Sequence, residues 1–328
     1  MRVLVTGGAG YIGSVASRML AGEGHEVLVL DNLAKGHRRA VADLDLEVAD
    51  LEDPSALSGV CSRFGPEACM HFAADSLVGE SMADPLKYFR SNVAGSINLA
   101  AALVESGCRD MVFSSTAAVY GDAETVPITE THPKRPVNFY GLTKYMFEQA
   151  LCALDRAGQL RCVCLRYFNA AGADTAADLG EDHHPETHLI PRVIAAALGS
   201  EPRAEVFGTD YPTTDGTCVR DYVHVLDLAR AHVLACEHLQ ETGGSGIFNL
   251  GNGSGFSVRQ VIETVRRVSG RNFEVVEGPR REGDPPALVA SSDKIRDELG
   301  WRPEHPELES IVSSAWEWHS RHPNGYDS

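Results

Sequence analysis

Through the first half of the chain, short apolar runs alternate with longer stretches whose apolar residues recur at helical spacing. The runs 3–6, 26–30, 46–48, 68–72, 110–114 and 161–166 predict strands. Residues 12–21, 91–105 and 140–155 predict helices between them, and the second of these carries Gly and Ala on several faces, which lets neighbours pack closely. Strand and helix in alternation make βαβ units, and hence a parallel sheet with helices on both faces. From about Ala170 onward the pattern is irregular, with Pro, His and Gly scattered through it. A late strand at 246–250 is expected to return to the main body, followed by a helix at 258–268. Neither an internal repeat nor a low-complexity segment interrupts the pattern. The expectation is an α/β fold, a doubly wound parallel sheet over residues 1–168, with a smaller C-terminal substrate domain over 169–328.

Charge changes the picture more than composition does. The 328 residues are 43% hydrophobic and 23% charged, an ordinary balance for a globular chain, but the formal net charge is −17. A field of that sign argues against nucleic acid and anionic membrane surfaces as partners. It also repels an anionic nucleotide, so a phosphate site needs cations placed locally. Eight cysteines include no CxxC pair. Cys162 and Cys164 flank Val163 in an apolar run, where side chains two apart share a strand face without bridging geometry. Free thiols in a reducing compartment are expected. The chain opens directly on a core strand, so no signal peptide is expected, and no apolar stretch approaches the roughly 18 residues of a membrane span. A cytoplasmic location is the expectation.

The first candidate chemistry lies in Thr6-Gly7-Gly8-Ala9-Gly10-Tyr11-Ile12-Gly13, which follows the opening strand and opens a helix. Glycines at 7, 10 and 13 permit a tight turn, close approach of backbone to a pyrophosphate, and packing of helix on strand. The helix N-terminus then offers N–H donors and partial positive charge to phosphates. The second strand leads into Asp31, where a carboxylate can accept both ribose hydroxyls and repel a 2′-phosphate, selecting NAD over NADP. With these two features the sheet reads as Rossmann-type. Lys35, Arg38 and Arg39 lie just beyond and read as a solvated basic loop.

The second candidate is Tyr140-Gly141-Leu142-Thr143-Lys144, a phenol and an ammonium four apart on one helix face. A free tyrosine has a pKa of about 10, and lowering it by roughly three units takes about 4 kcal/mol, within reach of two close cations in a desolvated pocket. Thr116 follows a strand end, at the sheet edge where α/β folds bind ligands, and is placed to hold a substrate oxygen while Tyr140 takes its proton. Ser114 and Ser115 read as backbone-capping hydroxyls, and His71 as a satisfied buried histidine rather than a base.

These motifs stand in an ordered series that includes Asp31-Asn32, Asp50-Leu51, His71-Phe72-Ala73-Ala74, Asn92, residues 114–121 and residues 165–169. It continues through Tyr211-Pro212, Asp215-Gly216-Thr217, residues 219–224, residues 280–284, Arg321-His322-Pro323 and Gly325-Tyr326. Over essentially its whole length the chain resembles the UDP-glucose 4-epimerases of the extended short-chain dehydrogenase/reductase family. The resemblance implies NAD lined by Gly7, Gly10, Tyr11, Ile12, Gly13, Asp31, Asn32, Asp50, Leu51, Phe72, Ala73, Asn92 and Phe168. Lys144 would serve both catalysis and the nicotinamide ribose. Thr116 and Tyr140 would meet the hexose, and Asn169, Leu189, Phe207, Arg220, Arg281 and Asp284 the rest of a UDP-sugar. Arg220 and Arg281 would then be the local cations that a diphosphate needs, although each could instead pair locally, with Asp221 and Glu282.

The activity implied is interconversion of UDP-glucose and UDP-galactose through a 4-keto intermediate, with the N-acetylhexosamine pair as possible further substrates. Epimerases of UDP-glucuronate or UDP-pentoses are the near alternatives, and a non-catalytic NAD-sensing protein the distant one. A dehydratase of the same fold would need an acid–base pair where this chain has Ala117 and Ala118. Two departures stand out. Ser76 occupies a place where the family often carries a lysine, and Leu288 aligns with a position that is a bulky tyrosine in some relatives. The run His183-His184-Pro185-Glu186-Thr187-His188 is irregularly spaced, and the reaction requires no metal, so a polar loop near the substrate is expected and no metal ligand. A homodimer through the helices 91–105 and 140–155 is also implied.

Overall fold

The computed structural model describes residues 1–281 and 284–327. Six strands alternate with helices in its first half: β1 Arg2–Thr6, β2 Glu26–Asp31, β3 Asp45–Val48, β4 Ala68–His71, β5 Asp110–Ser114 and β6 Arg161–Tyr167. The helices among them are α1 Tyr11–Gly22, α2 Pro54–Phe64, the short α3 Val78–Ala83 and α4 Pro85–Tyr88, α5 Ser96–Ser106 and α6 Phe139–Arg156. The later chain adds β7 Asn169–Ala171, α7 Leu189–Leu198, β8 Ala204–Phe207, β9 Val219–Arg220, β10 Tyr222–His224, α8 Val225–Thr242 and β11 Gly246–Leu250. It ends with β12 Phe256–Ser257, α9 Val258–Ser269, β13 Val275–Gly278, β14 Ala287–Leu288, α10 Asp293–Leu299 and α11 Leu308–Arg321.

The main sheet has seven strands in the order β11-β6-β5-β4-β1-β2-β3, every pair parallel. Val3, Leu4 and Val5 are all fully buried because both faces of the sheet are covered. Val3 and Val5 face one core with α1 and α8, and Leu4 faces the other with α2, α5 and α6. The strand order reverses at β1, so a crevice opens at the carboxyl ends of β1 and β4, the switch point where such sheets take ligands. A separate core under the smaller lobe gathers Ile190, Val193 and Ile194 of α7, Val261, Ile262 and Val265 of α9, and Ile311 and Val312 of α11.

The expected strands and the glycine-loop and Tyr140 helices are present, with ends shifted by a residue or two. Gly246–Leu250 pairs with β6, register Leu250 to Tyr167. The single helix expected over 91–105 is in fact a wider π turn, Phe89–Gly95, running into α5. Gly95 lies against Leu51 there, where a Cβ would approach to 2.9 Å. Four long helices, α2, α7, α8 and α11, lie in stretches where no helix was expected. In α8 the buried positions include 227, 228, 229, 231, 232 and 233, so it carries no single apolar stripe for periodicity to find.

Candidate active site

The turn between β1 and α1 is built on close backbone approach. Gly7 has φ +70°, and a Cβ there would lie 2.4 Å from the Ala73 nitrogen; a Cβ on Gly13 would lie 2.2 Å from the Gly7 carbonyl oxygen. The Phe72 and Ala73 amides both donate to the Thr6 carbonyl, at 2.8 and 3.0 Å, which draws the end of β4 against this turn. Gly10 caps α1 without a side-chain bond, so the first-turn amides of Tyr11, Ile12 and Gly13 face the crevice as the helix's own anion site. The Tyr11 hydroxyl donates to the Gly172 carbonyl at 2.6 Å. Asp31 is 7% exposed and accepts from the Ala9 and Leu33 amides, at 3.0 and 2.8 Å. Burial raises its pKa, against the lowering by those amides. Asn32 donates to Asp50 at 2.8 Å, which ties the ends of β2 and β3 into one rim.

This cradle fits a dinucleotide. Side chains larger than hydrogen are excluded at Gly7 and Gly13, the first-turn amides of α1 offer donors to a phosphate, and a carboxylate closes the far end. Leu51 is buried at that rim. Asn92 is also buried, but its side-chain amide is engaged: Oδ1 accepts from the Asp75 amide at 2.8 Å, and Nδ2 donates to Asp75 O at 2.9 Å and to Thr143 Oγ1 at 3.2 Å. It pins the loop after β4 to the helix carrying Tyr140. Lys35, expected in a solvated loop, pairs with Asp75 at 3.2 Å, and Arg39 donates to the Tyr326 carbonyl at 3.0 Å.

Tyr140 and Lys144 stand one turn apart on α6, whose start is capped by the Asn138 side chain accepting from the Gly141 amide at 2.8 Å. The Thr116 hydroxyl stands beside the Tyr140 phenol, and its Oγ1 accepts from the Ala118 amide at 3.2 Å. Lys144 is almost wholly buried; its Nζ donates to the Ser114 carbonyl at 2.9 Å and lies 4.8 Å from the centre of the Phe113 ring. The expected lowering of the Tyr140 pKa is not supplied by protein groups. Loss of hydration and the neighbouring Tyr167 push the phenol up, and only the Thr116 hydrogen bond opposes them. The same loss of hydration brings Lys144 down to about 7, against the pull of Glu148. Burial outweighs the attraction that sequence spacing suggested.

Sequence reading missed what anchors this helix. Glu148, four residues beyond Lys144, is fully buried and accepts from Arg166 through two bonds of 2.8 and 2.5 Å, and from Ser115 at 2.5 Å. Arg166 also donates to Tyr120, whose hydroxyl donates to Asn249 on β11. The 140–144–148 spacing was the available signal. His71 is held between Thr6 and Ser96, at 2.7 and 2.8 Å, and burial lowers its pKa to about 3, so it stays neutral.

A cavity of about 200 Å³ opens beside the smaller lobe, and Asn169, Leu189, Phe207, Arg220, Arg281 and Asp284 all line it. Cys218, Tyr222 and Arg203 also line it and were not anticipated. Arg220 pairs with Asp284 rather than with Asp221, which instead accepts from the Asn252 and Ala290 amides at 2.8 and 3.1 Å. Arg281 stacks over the Phe207 ring, 4.0 Å from its centre; Glu282, its alternative partner, lies outside the described residues. Leu288 pairs in register with Arg220 and packs on the cluster of Val119, Tyr120 and Ile128, which Phe168 also joins.

The sequence profile of the NAD dependent epimerase/dehydratase family matches residues 3–251. The chain belongs to that family. Among its members, a UDP-glucose 4-epimerase of Halalkalibacterium halodurans is 50% identical over 328 residues, 100% of this chain and 98% of the relative. A solved UDP-glucose 4-epimerase superposes with a TM-score of 0.98 at 46% identity, covering 100% of each chain. A family structure from Stenotrophomonas maltophila, a UDP-glucose 4-epimerase with bound NAD and formylated UDP-arabinopyranose, gives a TM-score of 0.95 at 39% identity over 98% of this chain and 99% of that one.

Proposed function

We propose that this chain is an NAD-dependent epimerase that interconverts UDP-glucose and UDP-galactose through a 4-keto intermediate. One observation carries the reading: the Tyr140–Thr116 pair lies at the carboxyl edge of the sheet, with a dinucleotide cradle at the same edge and an arginine-lined cavity in the smaller lobe. Full-length identity of 50% to a UDP-glucose 4-epimerase supports the substrate.

Gly7, Gly10, Gly13 and the amides of residues 11–13 would hold the pyrophosphate of NAD, with Asp31 at the adenosine ribose and Lys144 at the nicotinamide ribose. Bound there, NAD would supply a reversible hydride acceptor at C4 and positive charge beside the phenol, so no net oxidation results. Tyr140 Oη takes the proton from the sugar 4-hydroxyl, with Thr116 holding that oxygen. Arg220 and Arg281 grip the diphosphate while the hexose turns, so that its other face meets the same phenol and the proton returns with C4 inverted. Binding is tight at the nucleotide and loose at the sugar.

The exposed apolar side chains of Ile97 on α5 and Met146 on α6 favour a homodimer through these two helices. No helix among the described residues is long and apolar enough to cross a membrane. Together with eight free thiols and a net charge of −17, this favours a cytoplasmic enzyme without nucleic-acid or membrane partners. The division at residue 168, with β11 counted in the first domain, belongs to the same proposal.

The test mixes purified protein separately with UDP-galactose, UDP-N-acetylgalactosamine and UDP-glucuronate, and follows each by NMR. UDP-glucose is expected from the first. Product from UDP-glucuronate alone would reassign the substrate, and no product from any of them would remove the epimerase reading.

A further inference from the structure

The loop between β7 and α7 was expected to be polar and without a metal-binding role, yet it folds four side chains onto one point. Glu181, His183, Glu186 and His188 each offer a ligand atom, all within 4.8 Å of one another. The contacts run through Oε1 of Glu181 and both carboxylate oxygens of Glu186. His183 Nδ1 is 3.1 Å from Glu181 Oε1 and 3.8 Å from Glu186 Oε2, while His188 Nδ1 is 2.8 Å from Oε1 of each glutamate. Four ligands at metal bonds of about 2.0–2.1 Å stand about 3.3 Å apart, in the middle of that range. The two imidazole rings are 5.3 Å apart at 47°, so they converge without stacking.

We propose that Glu181, His183, Glu186 and His188 form a binding site for one four-coordinate divalent metal ion, zinc by preference, at the rim of the nucleotide cavity. Two imidazoles and two carboxylates are a borderline donor set, which suits zinc over magnesium or calcium, whose sites are built from oxygen. The Glu181 side chain is 5% exposed, and the Trp318 ring N–H donates to its carbonyl at 3.2 Å, which fixes the innermost ligand against the body of the protein. The Tyr11 ring meets His183 edge-on at 6.2 Å, so the glycine loop supports the second ligand. His188 precedes the first turn of α7, and with Leu189 it lines the cavity. An ion here would clamp the loop and set the α7 start where the nucleotide enters. The ion has no part in the proton and hydride steps at C4.

The same four groups can instead hold the loop as direct Glu–His pairs, and metal titration separates the two cases. Untagged protein, dialysed against a chelator, is titrated with cobalt(II) chloride and then with zinc. The expected result is one equivalent of cobalt, the intense visible absorption of four-coordinate Co(II), and its stoichiometric displacement by zinc. His183→Gln and Glu186→Gln should each weaken cobalt binding by at least roughly 100-fold, with metal-free far-ultraviolet circular dichroism unchanged. Should the variants misfold, the native chain still decides: zinc must protect His183 and His188 from diethyl pyrocarbonate, read by peptide mass spectrometry. Pale six-coordinate cobalt, binding that survives both substitutions, or histidines left unprotected would each overturn the site.

Discussion

Tyr140 and Lys144 share one face of α6, and burial acts on them in opposite senses, raising the phenol and bringing the ammonium to about 7. The folded-state value of Lys144 lies below the ordinary lysine value of about 10.5. The cost of burying its cation is therefore fully present below about pH 7 and fades as pH rises from 7 to about 10.5. Lys144→Met should melt higher than the native chain at pH 6 when neither holds NAD, with the gap closing as pH rises. A gap of constant size across thermal scans would count against this account. Tyr140→Phe should lower turnover by roughly 10²–10⁴-fold while retention of NAD is unchanged, since the hydroxyl is needed only for proton transfer. Unaltered turnover in a coupled assay would mean that another group is the base. At this scale the sequence revealed which residues carry the chemistry but not their protonation. Spacing along a helix reports proximity, whereas solvent exclusion depends on β5 and β6, which bring Phe113, Ser114 and Tyr167 against the pair.

Helix α6 keeps its place through Glu148, which joins β5 through Ser115 and β6 through Arg166 without reaching solvent. Replacing one member of a buried ion pair leaves its partner charged and uncompensated, at a cost of about 3–5 kcal/mol. Glu148→Gln should therefore lower the denaturant midpoint strongly. It should also reduce kcat more than it raises KM, because it loosens the helix that aims Tyr140 rather than the nucleotide cavity; an unchanged midpoint would show that the network tolerates the loss. Elements of the sheet were readable because each strand is a short apolar run with a glycine or polar boundary. The helices α8 and α7 were not, since α8 is buried on several sides and α7 follows an irregular loop that carries Pro185 and three histidines. Asn92 was legible as a motif position, whereas its hydrogen bonds to Asp75 and Thr143, which tie the loop after β4 to α6, were not.

At the scale of the molecule, residues spread between Gly7 and Asp284 converge on two features, a cradle and phenol at the carboxyl edge of the large sheet and an arginine-lined cavity in the smaller lobe. That convergence was legible only as an ordered series of motifs, because no local rule joins Arg220 to Asp284 across 64 positions. Exposed Ile97 and Met146 carry the remaining expectation at this scale. Ile97→Glu combined with Met146→Glu should turn a dimer into a monomer in sedimentation equilibrium, while a dimer that survives both charges would move the interface elsewhere. The late arrival of β11 has a consequence for biosynthesis. Until the segment 246–250 leaves the ribosome, β6 presents a bare row of amides and carbonyls. A nascent chain stalled earlier is open to strand pairing with its neighbours, and the emergence of Leu250 is what seals that margin.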